Sequence, residues 1–114
     1  MDESTSDFEI KLDILRRNYV ERCQRRVSLA IGSLDAGGVE RDVVHQLHSM
    51  AHEMAGSGAT YGFPEITRAA ETIEHFLDPV VRHETGHIDE DCTGELCEML
   101  EHLEDAIPGD FDAT

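Results

Sequence analysis

The chain has 114 residues, a mass of 12.7 kDa and a formal net charge of −16, with 39% hydrophobic residues. That is room for one domain with its own core, and nine basic against 25 acidic residues argue against nucleic acid as a partner, because affinity for a phosphate backbone comes from Lys and Arg. No apolar run nears the ~18–20 residues of a membrane span, the N-terminus MDESTSDF lacks the regions of a signal peptide, and Cys23, Cys92 and Cys97 form no disulfide framework. The expectation is an acidic, cytoplasmic, single-domain protein with no membrane partner.

The first predicted helix opens at Ser6-Asp7-Phe8-Glu9, which fits a capping box. Its apolar stripe is Phe8, Leu12, Leu15, Tyr19, Cys23, Val27, Ala30 and Leu34, at helical steps of three or four. Gly37-Gly38 is a natural stop. A second helix starts near Val39, with Glu40 and Asp42 in its first turn and a stripe of Val43, Leu47, Met50, Met54, Gly58 and Tyr61. Gly62 and Pro64 mark the next break, with Pro64 opening a third helix whose inward residues are Ile66, Ala69, Ala70, Ile73, Phe76, Leu77 and Val80. His83 to Ile88 reads as a loop. A fourth helix spans Asp89 to Ala106 with Leu96, Leu100, Leu103 and Ile107 inward, closed by Pro108-Gly109.

No segment alternates with period two. The expected fold is therefore all-α, an antiparallel up-down-up-down four-helix bundle, over residues 7–107, with flexible tails at 1–6 and 108–114. Charge is uneven along it. Residues 1–57 hold 7 Lys/Arg and 10 Asp/Glu, net −3, whereas residues 58–114 hold 2 and 15, net −13. Six of the nine basic residues fall between Lys11 and Arg26.

Seven histidines raise the question of metal. His48 and His52, like His83 and His87, have the i, i+4 spacing of paired ligands, and Glu71 with His75 adds a carboxylate. A metal site in a bundle needs ligands that project into the core. At 100° per residue, His52 falls opposite the stripe of the second helix, with His45, His48, Gly56 and Ala59 on its own side. His75 and His102 also lie about 200° from their core centres. Cys92 and Cys97 diverge by about 140° on a helix, so His83, His87, Cys92 and Cys97 make a loose zinc set. No metal is expected, and a metal-binding bundle is the weakest reading.

His52 is set apart by a glycine. Gly56 lies one turn on, facing outward, where packing does not call for it and where glycine costs about 1 kcal/mol relative to alanine. The missing side chain opens space beside an imidazole that is nucleophilic near neutral pH. No Ser, Cys or Asp partner stands in reach by sequence. The histidine looks like a group that receives something from another protein.

The stretch His52-Glu53-Met54-Ala55-Gly56-Ser57, continuing Gly58-Ala59-Thr60-Tyr61-Gly62-Phe63-Pro64-Glu65-Ile66, resembles the signature of histidine-containing phosphotransfer (HPt) domains. In that signature a histidine is followed by Gly-(Ser/Ala), small residues, and then Gly-Phe-Pro opening the next helix. Ala70 to Glu74 resembles the family's third bundle helix. The resemblance implies a phosphorelay carrier, not an enzyme, that accepts a phosphoryl group at His52 and exchanges it with aspartyl-phosphate receiver domains of response regulators or of a hybrid histidine kinase. It implies that Mg²⁺ comes from the receiver and that the chain needs no cofactor of its own; with Met1 so close to the first helix, a stand-alone module is expected. The docking face would comprise His48, Ser49, Ala55, Gly56 and Ala59 with Arg22 or Arg26. The lysine common three residues after the histidine is Ala55 here. With the first two helices antiparallel, Arg22, Arg25 and Arg26 come near the height of His52, and Arg68 near that of Ala55; each is a candidate to bind phosphoryl oxygens. The alternative function is a helical adaptor that binds a receiver without accepting phosphate.

Overall fold

A computed structural model describes residues 3–35, 39–83, 87–88 and 90–109. In chain order the elements are α1 (Glu3–Asp35), β1 (Val39–Glu40), α2 (Arg41–Ser57), α3 (Pro64–His83), β2 (His87–Ile88) and α4 (Glu90–Ala106). The four helices form the expected all-α bundle. Arg26 pairs with Glu53 and Tyr19 with Ser57, so α1 and α2 run antiparallel. His48 meets Asp78 and His52 meets Glu74, so α2 and α3 do too. Glu65 shares one end of a groove with Asp105 and Ala106, and Thr72 shares the other with Glu95 and Glu98, which sets α4 antiparallel to α3.

The stripes explain the core. Tyr19, Cys23, Val27, Ala30 and Leu34 of α1, Leu47, Met50 and Met54 of α2, Ile66, Ala70, Ile73 and Leu77 of α3, and Leu96, Leu100 and Leu103 of α4 are all buried. Among the described residues no polar or charged residue is buried. At ~1.5–3 kcal/mol for each large apolar side chain removed from water, this shared interior, rather than helix propensity, holds the fold.

Several boundaries differ from the sequence reading. Helix α1 begins at Glu3, so Ser6 to Glu9 lies inside it rather than capping it. Its first turns then run past the end of the bundle. Phe8 and Leu15, expected in the core, are 65% and 52% exposed, and Ile10 and Ile14 are exposed beside them. The physical reason is length: 33 residues against 17, 20 and 17 for the other helices, or about 50 Å at 1.5 Å per residue, in a molecule 58 Å long. The α1 helix ends at Asp35; the Gly37-Gly38 stop lies outside the described residues.

Val39 does not start α2. Val39–Glu40 pairs antiparallel with His87–Ile88, Val39 opposite Ile88 and Glu40 opposite His87, tying the two connections at that end of the bundle. Two residues are too few for alternation to show in a sequence. Helix α2 begins at Arg41, with Val44 and Ala51 buried alongside the predicted stripe and Val43 partly buried. It ends at Ser57 with Gly58 as its cap, so the stripe does not continue helically to Tyr61. Helix α3 reaches His83, inside the segment expected to be a loop.

The α2–α3 turn is clasped by α1. Gly62 has φ +94°, a conformation that L side chains avoid and glycine accepts. Phe63 N–H donates to the carbonyl of Gly58 at 2.8 Å, and Pro64 opens α3 where no N–H is needed. Arg16 Nε donates to the Tyr61 carbonyl at 2.9 Å. The Tyr19 ring stacks on Tyr61, centroids 4.4 Å apart, with Phe63 beyond. Ser57 spends its one proton on the Glu53 carbonyl, so the Tyr19 hydroxyl donates to Ser57 Oγ at 2.8 Å. Burial pushes the Tyr19 phenol up to about 12.

Candidate functional site

Because the apolar residues of α2 face the core, the opposite face is left to His52, Ser49 and Gly56, all exposed. The His52 side chain is 73% exposed, whereas Met54 two residues on is 1% exposed. Helical period alone produces that contrast.

The antiparallel packing of α2 on α3 brings Glu74 to His52, with His52 Nδ1 2.6 Å from Glu74 Oε2. A carboxylate only accepts, so Nδ1 carries the proton and donates. The lone pair of the neutral ring is then on Nε2. The bond to Glu74, and after it the Glu74 charge, raises the His52 pKa above the ordinary 6.5. Glu74 therefore selects the tautomer, orients the ring and makes it more basic.

Gly56 stands one turn from this imidazole. A Cβ there would meet nothing within 4 Å, so the chain's own packing gives no reason for the glycine, and the space is open. Gly58 is the reverse: its Cβ would lie 2.7 Å from Thr67 Oγ1 and 2.8 Å from Thr67 N. Its backbone is ordinary right-handed helix, φ −53° and ψ −55°, so close approach of α3, not conformation, requires glycine.

His48 shares the outward stripe in sequence but not its freedom. Its Nε2 lies 2.6 Å from Asp78 Oδ1, and its side chain is only 21% exposed. The bond lowers the pKa of Asp78. His48 thus spends in the α2–α3 seam the nitrogen that His52 presents to solvent.

Of the other residues singled out in the sequence, Ser49 and Ala59 are exposed, and Ala55 is half-buried against the core. The Ala59 N–H is taken by Thr67 Oγ1 at 2.8 Å. Arg22 is exposed, its guanidinium 5.8 Å from the Tyr19 ring centroid, and Arg25 is exposed. Arg26 pairs with Glu53, the neighbour of His52, at 2.5 Å. Arg68 is not brought to Ala55. It stands at the height of Gly58 and Ala59, where its neighbour Thr67 bonds, and lines the α3–α4 groove with His102; its own ion pair is with Glu65 at 3.6 Å.

His45 is half-buried, and His75 and His102 are exposed. Among the described residues no three His, Cys, Asp or Glu side chains converge to hold an ion. The set of His83, His87, Cys92 and Cys97 lies partly outside the described side chains. No described helix is long and apolar enough to cross a membrane.

Glu74 and Asp78 do not stand out in the sequence, although a signal for them exists. With a tight turn at Phe63, antiparallel helices pair residues equidistant from it, and His52 with Glu74, like His48 with Asp78, is such a pair.

Among the described residues, the bundle thus offers an oriented, solvent-facing imidazole beside a clearing. The Hpt domain family model matches residues 14–106, and the chain belongs to that family. It has a histidine phosphotransfer role in two-component signalling, and Hpt domains are phosphocarrier modules rather than enzymes. The chain is also similar to the chemotaxis protein CheA of Bacillus subtilis (strain 168), 24% identical over 96 residues that cover 84% of this chain. The chain spans only 14% of the length of that relative. No solved structure matches it.

Proposed function

We propose that His52 is the phosphoacceptor of a phosphorelay carrier that works in the cytoplasm and exchanges its phosphoryl group with the aspartyl phosphate of receiver domains, either in response regulators or in a hybrid histidine kinase. The observation that carries this reading is the Nδ1–Glu74 bond, which leaves the Nε2 lone pair facing solvent one turn from the open Gly56.

In the forward step Nε2 attacks phosphorus in line with the leaving aspartate oxygen. The P–N bond forms, the P–O bond breaks, and the receiver's carboxylate departs with the electron pair. No proton has to move. The ring keeps its Nδ1 proton and gains positive charge, which Glu74 offsets across the hydrogen bond. The reverse step uses the same contacts. Mg²⁺ would belong to the receiver's phosphorylation site, and this chain would supply the nucleophile without kinase or phosphatase activity of its own. Ser49, Gly56, Ala59 and the half-buried Ala55 form the surface a receiver would cover, with Arg22, Arg25 and Arg26 on the adjoining face of α1 as candidates to meet phosphoryl oxygens. His48 would contribute at the edge of that surface, through the seam.

Incubation with a panel of phosphorylated receiver domains tests this. Label should move to the wild type as an acid-labile, base-stable adduct. His52→Gln should fold normally, because it removes no core contact, and accept none. Equal labelling of the folded variant would refute the assignment.

A further inference from the structure

The α2–α3 seam carries two histidine–carboxylate rungs, one helical turn apart on both helices: His52 with Glu74, and His48 with Asp78. The rungs differ in their histidines: His52 is 73% exposed and His48 21%, whereas the carboxylates Glu74 and Asp78 are 18% and 36% exposed. The residue after Asp78 is Pro79, inside α3. Proline has no N–H, so the carbonyl of His75 loses its intrahelical bond. The hydrogen-bond ladder of α3 is therefore interrupted one residue beyond Glu74, in the turn that carries Asp78. Ile73 and Leu77, both fully buried, seat this stretch of α3 in the core, but the aim of the Glu74 side chain is left to polar contacts, and the bond from the largely exposed His52 competes with water. Both bonds are charge-assisted, but the His48 ring is far more withdrawn from solvent than that of His52, so the inner rung is the firmer link between α2 and α3.

We propose that His48 is a positioning residue: its Nε2–Asp78 bond pins the Pro79-interrupted part of α3 against α2 and thereby holds Glu74 where it fixes the tautomer of His52. The inference rests on the reading of His52 as acceptor, but its physical content concerns the His52–Glu74 geometry in the unphosphorylated chain. Groups that face His52 are Glu74 and Asp78 from α3 and Glu53 on its own helix, with Arg26 of α1 bound to Glu53.

These charges give the test its sign. Replacing His48 by Ala leaves Asp78 unpaired and negative beside His52. Electrostatics alone would then raise the His52 pKa further. Loss of positioning would instead lower it towards the ordinary value, since the Glu74 bond is its largest cause. Long-range ¹⁵N spectra of the imidazoles read both the pKa and the tautomer. In wild type the Nδ1-protonated form of His52 should predominate. In His48→Ala the two tautomers should become mixed and the pKa should fall, and acceptance of phosphoryl from a receiver should slow by roughly 10- to 100-fold, as expected for a displaced supporting group. His48→Gln, whose amide can donate to Asp78, should restore both spectrum and rate.

An unchanged His52 tautomer in folded His48→Ala overturns the proposal, as does an increased pKa. Should that variant not fold, Asp78→Ala is read by tautomer alone, which a distant charge barely moves, and an unchanged tautomer there is equally fatal. The two readings separate cleanly. Altered spectra in a chain that never accepts phosphate uphold the positioning role and sink the acceptor role, whereas normal phosphate acceptance with unchanged spectra does the opposite.

Discussion

Gly56 and Gly58 lie two residues apart in one signature and do opposite things. Around Gly58 the molecule is closed: α3 approaches so near that a methyl group would overlap Thr67, and Arg16 and Tyr19 lock the following turn from the α1 side. Around Gly56 it is open, with nothing for a side chain to touch and His52 exposed one turn away. Gly56 lies inside α2, where glycine costs about 1 kcal/mol relative to alanine, and Gly58 stands at the helix cap. The closed one is offset by tight packing within the chain. The open one has no internal compensation; Gly32 and Gly94 are as open, so what sets Gly56 apart is its place one turn from the exposed His52, where the proposed receiver would dock.

Gly58→Ala is expected to have the largest effect on stability. The new methyl must displace the backbone of Thr67 or Phe63, and overpacking of this kind costs ~1–3 kcal/mol. Thermal unfolding should show a clear fall in midpoint; an unchanged midpoint would mean that the turn is looser than these contacts require. Gly56→Gln should do the reverse. Its midpoint should hold or rise, by up to ~1 kcal/mol in stability, while transfer from a receiver slows by about tenfold, equivalent to ~1.4 kcal/mol. Wild-type transfer rates in that variant would remove the steric argument.

Glu74→Gln probes the open side by charge. The folded pKa of His52 is raised, so the pair's contribution to stability is fully present below the unfolded pKa of about 6.5 and is lost as pH rises through the folded value. The variant should bring the His52 pKa down towards 6.5 in an NMR titration. Its stability deficit against wild type should be visible near pH 6 and shrink at higher pH. A deficit that grew with pH would reverse the sign and contradict the assigned bond. The smallest effect belongs to a third glycine. Gly94 in α4 is as open as Gly56, so Gly94→Ala should add ~0.5–1 kcal/mol. It has no assigned place at the His52 surface, so transfer should be unchanged.

Much of this is legible in the sequence. The apolar stripes of α2, α3 and α4 identify their buried faces, because each helix has only one neighbour-facing side in a bundle. The same arithmetic turns His52 outward, and the antiparallel height match between α1 and α2 puts Arg26 near the level of His52, where the structure pairs it with Glu53. Three features are hidden for physical reasons. Phe8 and Leu15 continue the core stripe in pattern, but periodicity cannot reveal that the other helices stop short of them. Val39–Glu40 and His87–Ile88 are paired over too few residues to alternate. His48 and His52 look equivalent on a helical wheel. Gly56 marks out His52, but the different bonding of the two rings comes from the register of α3, which supplies Asp78 to one ring's far nitrogen and Glu74 to the other's near one.

That separation of two neighbouring histidines is directly observable. The chain, phosphorylated by a receiver and held at mildly alkaline pH, can be probed by ³¹P–¹⁵N correlation. One phosphoryl group is predicted on Nε2 of His52, with the Nδ1 proton retained and still bonded to Glu74. Phosphorus coupled to Nδ1 of His52, or to any nitrogen of the other six histidines, would contradict it.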